Sequence, residues 1–184
     1  GGTALYEACQ MALHASKKRN RVVMDSGVNP VYRKMLYSYT ANLSIDFAEA
    51  PVTHGQSDRE RLFELLDEDT AAVILQNPNF FGVMDDHTDI VEYCHERGIK
   101  VVQSVYPIAL ALLKSPGEMG VDIVTGEGQS LGMPLSFGGP YLGFMACREK
   151  MVRKMPGRIA GRTVDQNGED AFVLTLQARE QHIR

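Results

Sequence analysis

Apolar residues along this chain switch repeatedly between helical spacing and short unbroken runs. Leu5, Ala8, Cys9, Ala12 and Leu13 recur at helical intervals, which predicts a helix over Thr3 to Ala15 with Gly1-Gly2 as a permissive entrance. Arg21 to Met24 reads as a strand, and Asn29-Pro30 then opens a helix that continues to about Asn42. Ser44 to Pro51 is a second predicted strand, Asp58 to Leu66 a helix, and Ala71 to Leu75 a buried strand. Asp86 to Arg97 is a helix closed by Gly98, followed by a strand at Ile99 to Val102. A short helix at Ile108 to Leu113 leads to a strand at Val121 to Val124. Tyr141 to Cys147 is the last predicted strand, with a helix at Arg148 to Lys154 behind it.

This alternation predicts one α/β domain over residues 1–184, a three-layer sandwich with a mostly parallel sheet and helices on both faces. In open sheets of this kind ligands sit outside the carboxyl ends of the strands, so chemistry is sought in the segments that follow them. Those segments are Gln76 to Gly82, Thr125 to Gly132 and Phe137 to Pro140. Gly1-Gly2-Thr3 runs straight into a helix and Gln181 to Arg184 carries no stop signal, so the chain reads as a truncated central segment of a longer one.

Composition narrows the function classes. With 44% hydrophobic and 23% charged residues the chain reads as an ordinary globular domain. A formal net charge of -4 makes nucleic acid a poor partner. No apolar run approaches the length of a membrane helix, and no leader opens the chain. Cys9, Cys94 and Cys147 are far apart and odd in number, with no metal-ligand spacing, so no metal site is expected and a reducing cytoplasm fits best.

Several motifs then resemble one family. Gly1-Gly2-Thr3-Ala4, Asn77-Pro78-Asn79-Phe80-Phe81-Gly82, the Gly126 to Gly132 loop, Phe137-Gly138-Gly139-Pro140, Met155-Pro156-Gly157-Arg158 and the terminal Leu174 to Arg184 are similar, in order, to subunit 1 of the P-protein of the glycine cleavage system. The resemblance implies the large domain of fold-type-I pyridoxal phosphate (PLP) transferases. It implies a hetero-oligomer with subunit 2, which carries the PLP in this family, and a part in decarboxylating glycine and passing the aminomethyl group to the lipoyl arm of the H-protein.

A PLP enzyme requires a lysine for the Schiff base, on a loop at the carboxyl edge. Of the seven lysines, Lys17, Lys18, Lys34, Lys150 and Lys154 fall on predicted helix faces or ends, Lys100 opens a strand at the opposite edge, and Lys114 lies in a turn. By comparison with the cofactor-bearing subunit, Gln129 stands where the lysine would be. An acid for the pyridine nitrogen is also missing, since no Asp or Glu lies between Lys100 and Glu118. No covalent PLP is therefore expected on this chain, no catalytic residue is assigned, and the cofactor is expected on the partner.

Asn77, Gln129, Ser130, Gly138 and Gly139 are candidates for a relict cofactor pocket. For Asn77 the alternative is a loop turn in which its side chain satisfies nearby backbone. Phe80 and Phe81 line an entrance or belong to the core, and frequency favours the core. Tyr106 stands where small or polar residues are usual, which would partly fill a pocket. Gly2-Thr3 at a helix start suits an anion, although plain capping is the commoner use. His54 is placed in a turn, and His87 and His95 on one solvated acidic helix. Arg158, Arg179, His182 and Arg184 are candidates for an interface or a carboxylate contact, against solvated surface charge as the ordinary case. A self-sufficient fold-type-I PLP enzyme, aminotransferase or decarboxylase, and a scaffold without chemistry are the alternative functions.

Overall fold

In the computed structural model, which describes residues 1–16 and 18–175, the unbroken apolar runs form the middle of a six-stranded sheet. The first half of the chain gives α1 (Gly2–Ala15), β1 (Arg21–Asp25), α2 (Pro30–Tyr39), β2 (Asp46–Ala50), the short strands β3 (Val52–Thr53) and β4 (Gln56–Ser57), and α3 (Arg59–Glu64). It continues with β5 (Thr70–Asn77), α4 (Thr88–Glu96), β6 (Lys100–Val105), α5 (Pro116–Met119), β7 (Ile123–Glu127) and β8 (Gly143–Cys147). The hairpin β9 (Ile159–Val164) and β10 (Asp170–Thr175) follows.

Sheet order is β2-β1-β5-β6-β7-β8, with every pair parallel except β7 and β8. Because the central strands are covered on both sides, side chains alternate between two cores rather than between core and water. Val22, Met24, Ala72, Ile74, Val102 and Ile123 face α1, whose Leu5, Ala8, Met11 and Ala12 are buried against them. Val23, Val73, Leu75 and Val101 face the other way, onto Leu62 of α3 and Ile90, Val91 and Cys94 of α4. Each fully buried Leu, Ile or Met is worth about 1.5–3 kcal/mol. The predicted three-layer sandwich is thus the observed one.

Local chemistry sets the helix starts. Asn29 accepts the Val31 N–H at 2.9 Å and Pro30 supplies the first helical residue of α2, while Asp58 accepts from Arg61 at 3.1 Å to open α3. Ser115 and Glu118 form a reciprocal capping box around α5. Arg59 then locks α3 to the loop before α4 and to the first turn of α4, with contacts of 2.7 Å to both Asp85 and Asp89 and 2.6 Å to the Asp86 carbonyl.

Two expectations need correction. The segments expected as helices at Ile108 to Leu113 and Arg148 to Lys154 are 3₁₀ turns, Pro107–Ala111 and Glu149–Lys154. The first buries none of its residues and the second only Met151, so neither has the apolar stripe that would extend a regular helix. The strands β3, β4, β9 and β10 and the single-turn helix α5 were not expected.

Candidate functional site

The parallel strands end level with one another: Asn77 of β5 pairs with Val105 of β6, which pairs with Gly126 of β7. The loops that leave these ends, with the start of α2, enclose a hollow of about 110 Å³ lined by Asn29, Tyr32, Gln76, Ser104, Val105, Tyr106 and Glu127. Gln76, the last residue of β5 to face α1, accepts the Asn29 N–H at 2.9 Å and donates to the Pro78 carbonyl at 3.2 Å. Both ends of its amide are therefore committed to holding loops together. Ser104 is buried, and burial pushes the Tyr32 phenol above its ordinary range. Tyr106 stands half-exposed at the rim.

Among the described residues, Glu127 is the only charged group lining the hollow. Its Oε1 accepts the Leu142 N–H at 2.6 Å and the Gln129 N–H at 3.1 Å, and Oε2 lies against the Gly1 nitrogen at the head of α1. The glycines there serve close approach. A Cβ on Gly1 would fall 2.2 Å from the Tyr32 hydroxyl oxygen, and one on Gly2 2.5 Å from Met35 Sδ.

Among the sequence candidates, Asn77 points away from this hollow. Its Nδ2 donates to the Asp85 carbonyl at 2.7 Å and its Oδ1 accepts the Asp85 N–H at 3.2 Å, which is the loop-turn use. Asn79 repeats the pattern, accepting from Phe81 and Val83 and donating to the Gly55 carbonyl at 2.7 Å. Phe80 and Phe81 are not core, contrary to what frequency favours. They are 52% and 56% exposed, edge to face at 5.8 Å, on a loop held from below by Asn77 and Asn79.

Gln129 starts a 3₁₀ turn, Gln129–Leu131, and its side chain reaches only toward the Pro134 carbonyl at 3.5 Å. Ser130 is exposed. Gly138, at φ 109°, and Gly139 lie on the same outer loop, with open space where a Cβ would stand. None of these four lines the hollow. Arg158 is exposed just before β9; Arg179, His182 and Arg184 lie outside the described residues.

The histidine expectation is overturned in part. His87 is buried beneath the sheet, its Nδ1 3.4 Å from Gln103 Oε1, and burial lowers its pKa. His95 Nε2 meets the fully buried Asp122 carboxylate at 2.9 Å. His54, at φ 52°, occupies the β3–β4 turn as expected.

No described lysine lines the hollow. Lys100 opens β6 at the far edge, Lys114 donates to Thr88 Oγ1 at 2.7 Å, Lys150 lies 3.3 Å from Asp122, and Lys17 is outside the described residues. The described residues hold no group of His, Cys, Asp and Glu suited to a metal ion, and no helix long and apolar enough to cross a membrane. What the hollow offers is amide, hydroxyl and carboxylate chemistry.

The residues that sequence reasoning missed are Asn29, Tyr32, Gln76, Ser104 and Glu127. Two left a signal: Gln76 is a polar end to an apolar strand, and Glu127 sits between two glycines.

Comparison with known proteins decides the family, because the model of the glycine cleavage system P-protein matches residues 1–184. The chain belongs to the glycine cleavage system P-protein family. It is 55% identical to a probable glycine dehydrogenase (decarboxylating) subunit 1 of Geotalea daltonii and 54% identical to that of Nitratidesulfovibrio vulgaris Miyazaki F, in each case over the whole chain. The chain spans 41% of the length of those relatives. A crystal structure of glycine decarboxylase (P-protein) of the glycine cleavage system, in inhibitor-bound form, superposes with TM-score 0.89 at 40% identity, covering 97% of this chain and 40% of that one. The cysteine desulfurase CsdA of Escherichia coli shares the fold alone, with TM-score 0.69 at 14% identity over 95% of this chain and 43% of that one. The chain is thus an α/β sandwich of the fold-type-I PLP class.

Proposed function

We propose that this chain is the central part of subunit 1 of the decarboxylating glycine dehydrogenase, and that it holds no PLP of its own. The complex would decarboxylate glycine and pass the aminomethyl group to the lipoyl arm of the H-protein, with subunit 2 bearing the cofactor.

The observation that carries this reading is the hollow at the carboxyl edge. Its roughly 110 Å³ is far below the 300 Å³ or so at which ordinary small-molecule sites begin, and the one charge among its described lining is a carboxylate. PLP brings an anionic phosphate, a ring and an aldehyde that must meet a lysine amine. The residues present do not fit it. Gln129, Ser130, Gly138 and Gly139 are read as remnants of the loops that surround a cofactor elsewhere in the family, and Asn77 as the staple of the separate loop that carries Phe80 and Phe81. No catalytic step is assigned to them.

What the edge does offer is apolar surface. Phe80, Phe81, Met84, Leu131, Leu135 and Phe137 are each at least half exposed on neighbouring loops. Such surface suits a partner face that excludes water from a site built mainly by the other subunit. Arg158, Arg179 and His182 remain candidates for ion pairs across that face. The free cysteines Cys9, Cys94 and Cys147 fit a cytoplasmic setting, and burial pushes the Cys9 and Cys94 thiols up to about 12.

The test uses full-length subunit 1, alone and with subunit 2. After incubation with PLP and borohydride reduction, peptide mass analysis is expected to find no pyridoxyl-lysine on subunit 1, and exchange of labelled carbon dioxide into glycine is expected only in the mixture. A modified lysine on subunit 1, or exchange without its companion, would overturn the proposal.

A further inference from the structure

We infer that Phe80 and Phe81, with the groove beside them between Met84 and Leu112, are the anchor by which this chain docks onto subunit 2. That partner is expected to present an apolar pocket for the two rings and a basic side chain for the groove. The inference rests on the partner-dependent reading above and names the residues that make the contact.

Three observations support it. First, the two exposed rings stand on a loop that is already fixed. Asn79 Oδ1 accepts the N–H groups of Phe81 at 2.9 Å and Val83 at 3.0 Å, its Nδ2 donates to the Gly55 carbonyl at 2.7 Å, and the Phe80 N–H donates to the Gly27 carbonyl at 2.7 Å. Asn77 and Asp85 close the same loop from below. A preorganised aromatic side chain gives up little freedom on docking, so most of the gain from burying it goes into affinity. Phe137 is the contrast. It is fully exposed, at φ 58°, on a loop where open space surrounds Gly132 and Gly138.

Second, a groove of about 300 Å³ adjoins the loop, with Met84, Leu112 and Leu113 as its apolar lining and Asp85, Asp86 and Lys114 as its polar one. Leu112 is 91% exposed, so the apolar lining is open to a visitor. Third, the charge there is negative. Among the described residues, the carboxylates of Asp85, Asp86 and Asp89 are matched by only two cations, Arg59 and Lys114. A lysine or arginine side chain is complementary to this arrangement, its stem on Met84 and Leu112 and its charge toward Asp86.

The same charge argument selects the occupant. A second copy of this chain would bring the same rings and the same acid-rimmed groove, and would leave the carboxylates facing no cation. Relatives that match the whole chain are named as subunit 1 of a glycine dehydrogenase, and a companion chain can supply both the pocket and the basic group.

The test uses full-length subunit 1 and subunit 2, with the dissociation constant read by calorimetry and the oligomeric state by analytical ultracentrifugation. Phe80→Ala and Phe81→Ala are each expected to weaken association about tenfold or more, and Leu112→Lys, which sets a like charge at the groove, by a similar factor. Phe137→Ala should weaken it less than either. All four side chains are exposed, so near-ultraviolet circular dichroism and melting temperature should match the wild type.

Wild-type affinity in folded Phe80→Ala and Phe81→Ala variants overturns the inference. So does hydrogen-exchange protection of residues 79–84 that subunit 2 does not increase, which would assign the face to the rest of subunit 1 itself. Self-association of subunit 1 that these variants abolish would assign it to a second copy, and overturns the inference too. If the wild-type subunits do not associate at all, the partner-dependent reading has failed and takes the inference with it.

Discussion

Asn77 and Asp85 exchange two hydrogen bonds, Nδ2 to the Asp85 carbonyl at 2.7 Å and the Asp85 N–H to Oδ1 at 3.2 Å, closing the loop that carries Phe80 and Phe81. Asn77 is buried, and its truncation leaves the N–H and carbonyl of Asp85 unpaired in a part-buried loop. Asn77→Ala is expected to cost about 1–3 kcal/mol in urea unfolding. It should also speed proteolysis within residues 79–84. An unchanged cleavage rate would show that Asn79 holds the loop by itself.

Gly126 has no room for a side chain. Its added Cβ would fall 2.3 Å from Phe144 Cζ, which can swing, and 2.8 Å from the Val105 carbonyl oxygen, which belongs to the sheet and cannot. Gly126→Ala should therefore lower stability by about 1–3 kcal/mol. Gly117→Ala, in α5, where an added Cβ would meet nothing nearer than Ser115 Oγ at 4.0 Å, is the matched control and should be neutral or slightly stabilising in the same thermal melts.

Asp122 is the buried acid that ties α4 to the sheet. Burial opposes its ionisation, but the Val101 N–H at 3.1 Å and the His95 ring at 2.9 Å prevail and hold the carboxyl below its usual 3.8. Because the folded pKa is depressed, its stabilisation is present above the unfolded value and lost as pH falls through the folded one. Acid unfolding below about pH 4 should be shifted to higher pH by His95→Ala. Asp122→Ala should cost about 3 kcal/mol at neutral pH, measured by chemical denaturation.

His87 and Asp25 give slopes of opposite sign. Burial lowers the His87 pKa below 6.5, so the unfolded chain binds the extra proton first and stability declines as pH drops from 6.5 toward the folded value. Burial raises Asp25 above 3.8, so its contribution is present below the unfolded pKa and lost as pH rises through the folded one. Denaturant midpoints in His87→Gln should lose the decline below 6.5, a tenfold difference in proton affinity between the folded and unfolded chain being worth about 1.4 kcal/mol. Asp25→Asn should be the more stable protein at neutral pH, since Oδ2 of the native carboxylate has no partner among the described residues.

The central strands and the helices over them were legible because their burial is written locally: β1, β5 and β6 are apolar on both faces, and Asn29-Pro30 and Asp58 mark helix starts by their own chemistry. The hairpin β9–β10 was less visible, as most of its residues are exposed and carry no apolar rhythm, although Asn167-Gly168 is a turn signal. The hollow could not be read at all as a unit. Asn29, Gln76, Ser104 and Glu127 come from four segments that meet only when the strands align, and Asn77 differs from its neighbour Gln76 solely in which face of the strand it occupies.

The packing of α1 has a consequence for synthesis. Leu5, Ala8, Met11 and Ala12 share one core with Val22, Met24 and Leu36 close by in the chain and with Ile74, Val102, Ile123 and Met151 far downstream, so the sheet side of α1 is completed only when those distant residues leave the ribosome. At roughly 5–20 residues per second that completion takes on the order of ten seconds, during which the core beneath α1 waits for its last strands.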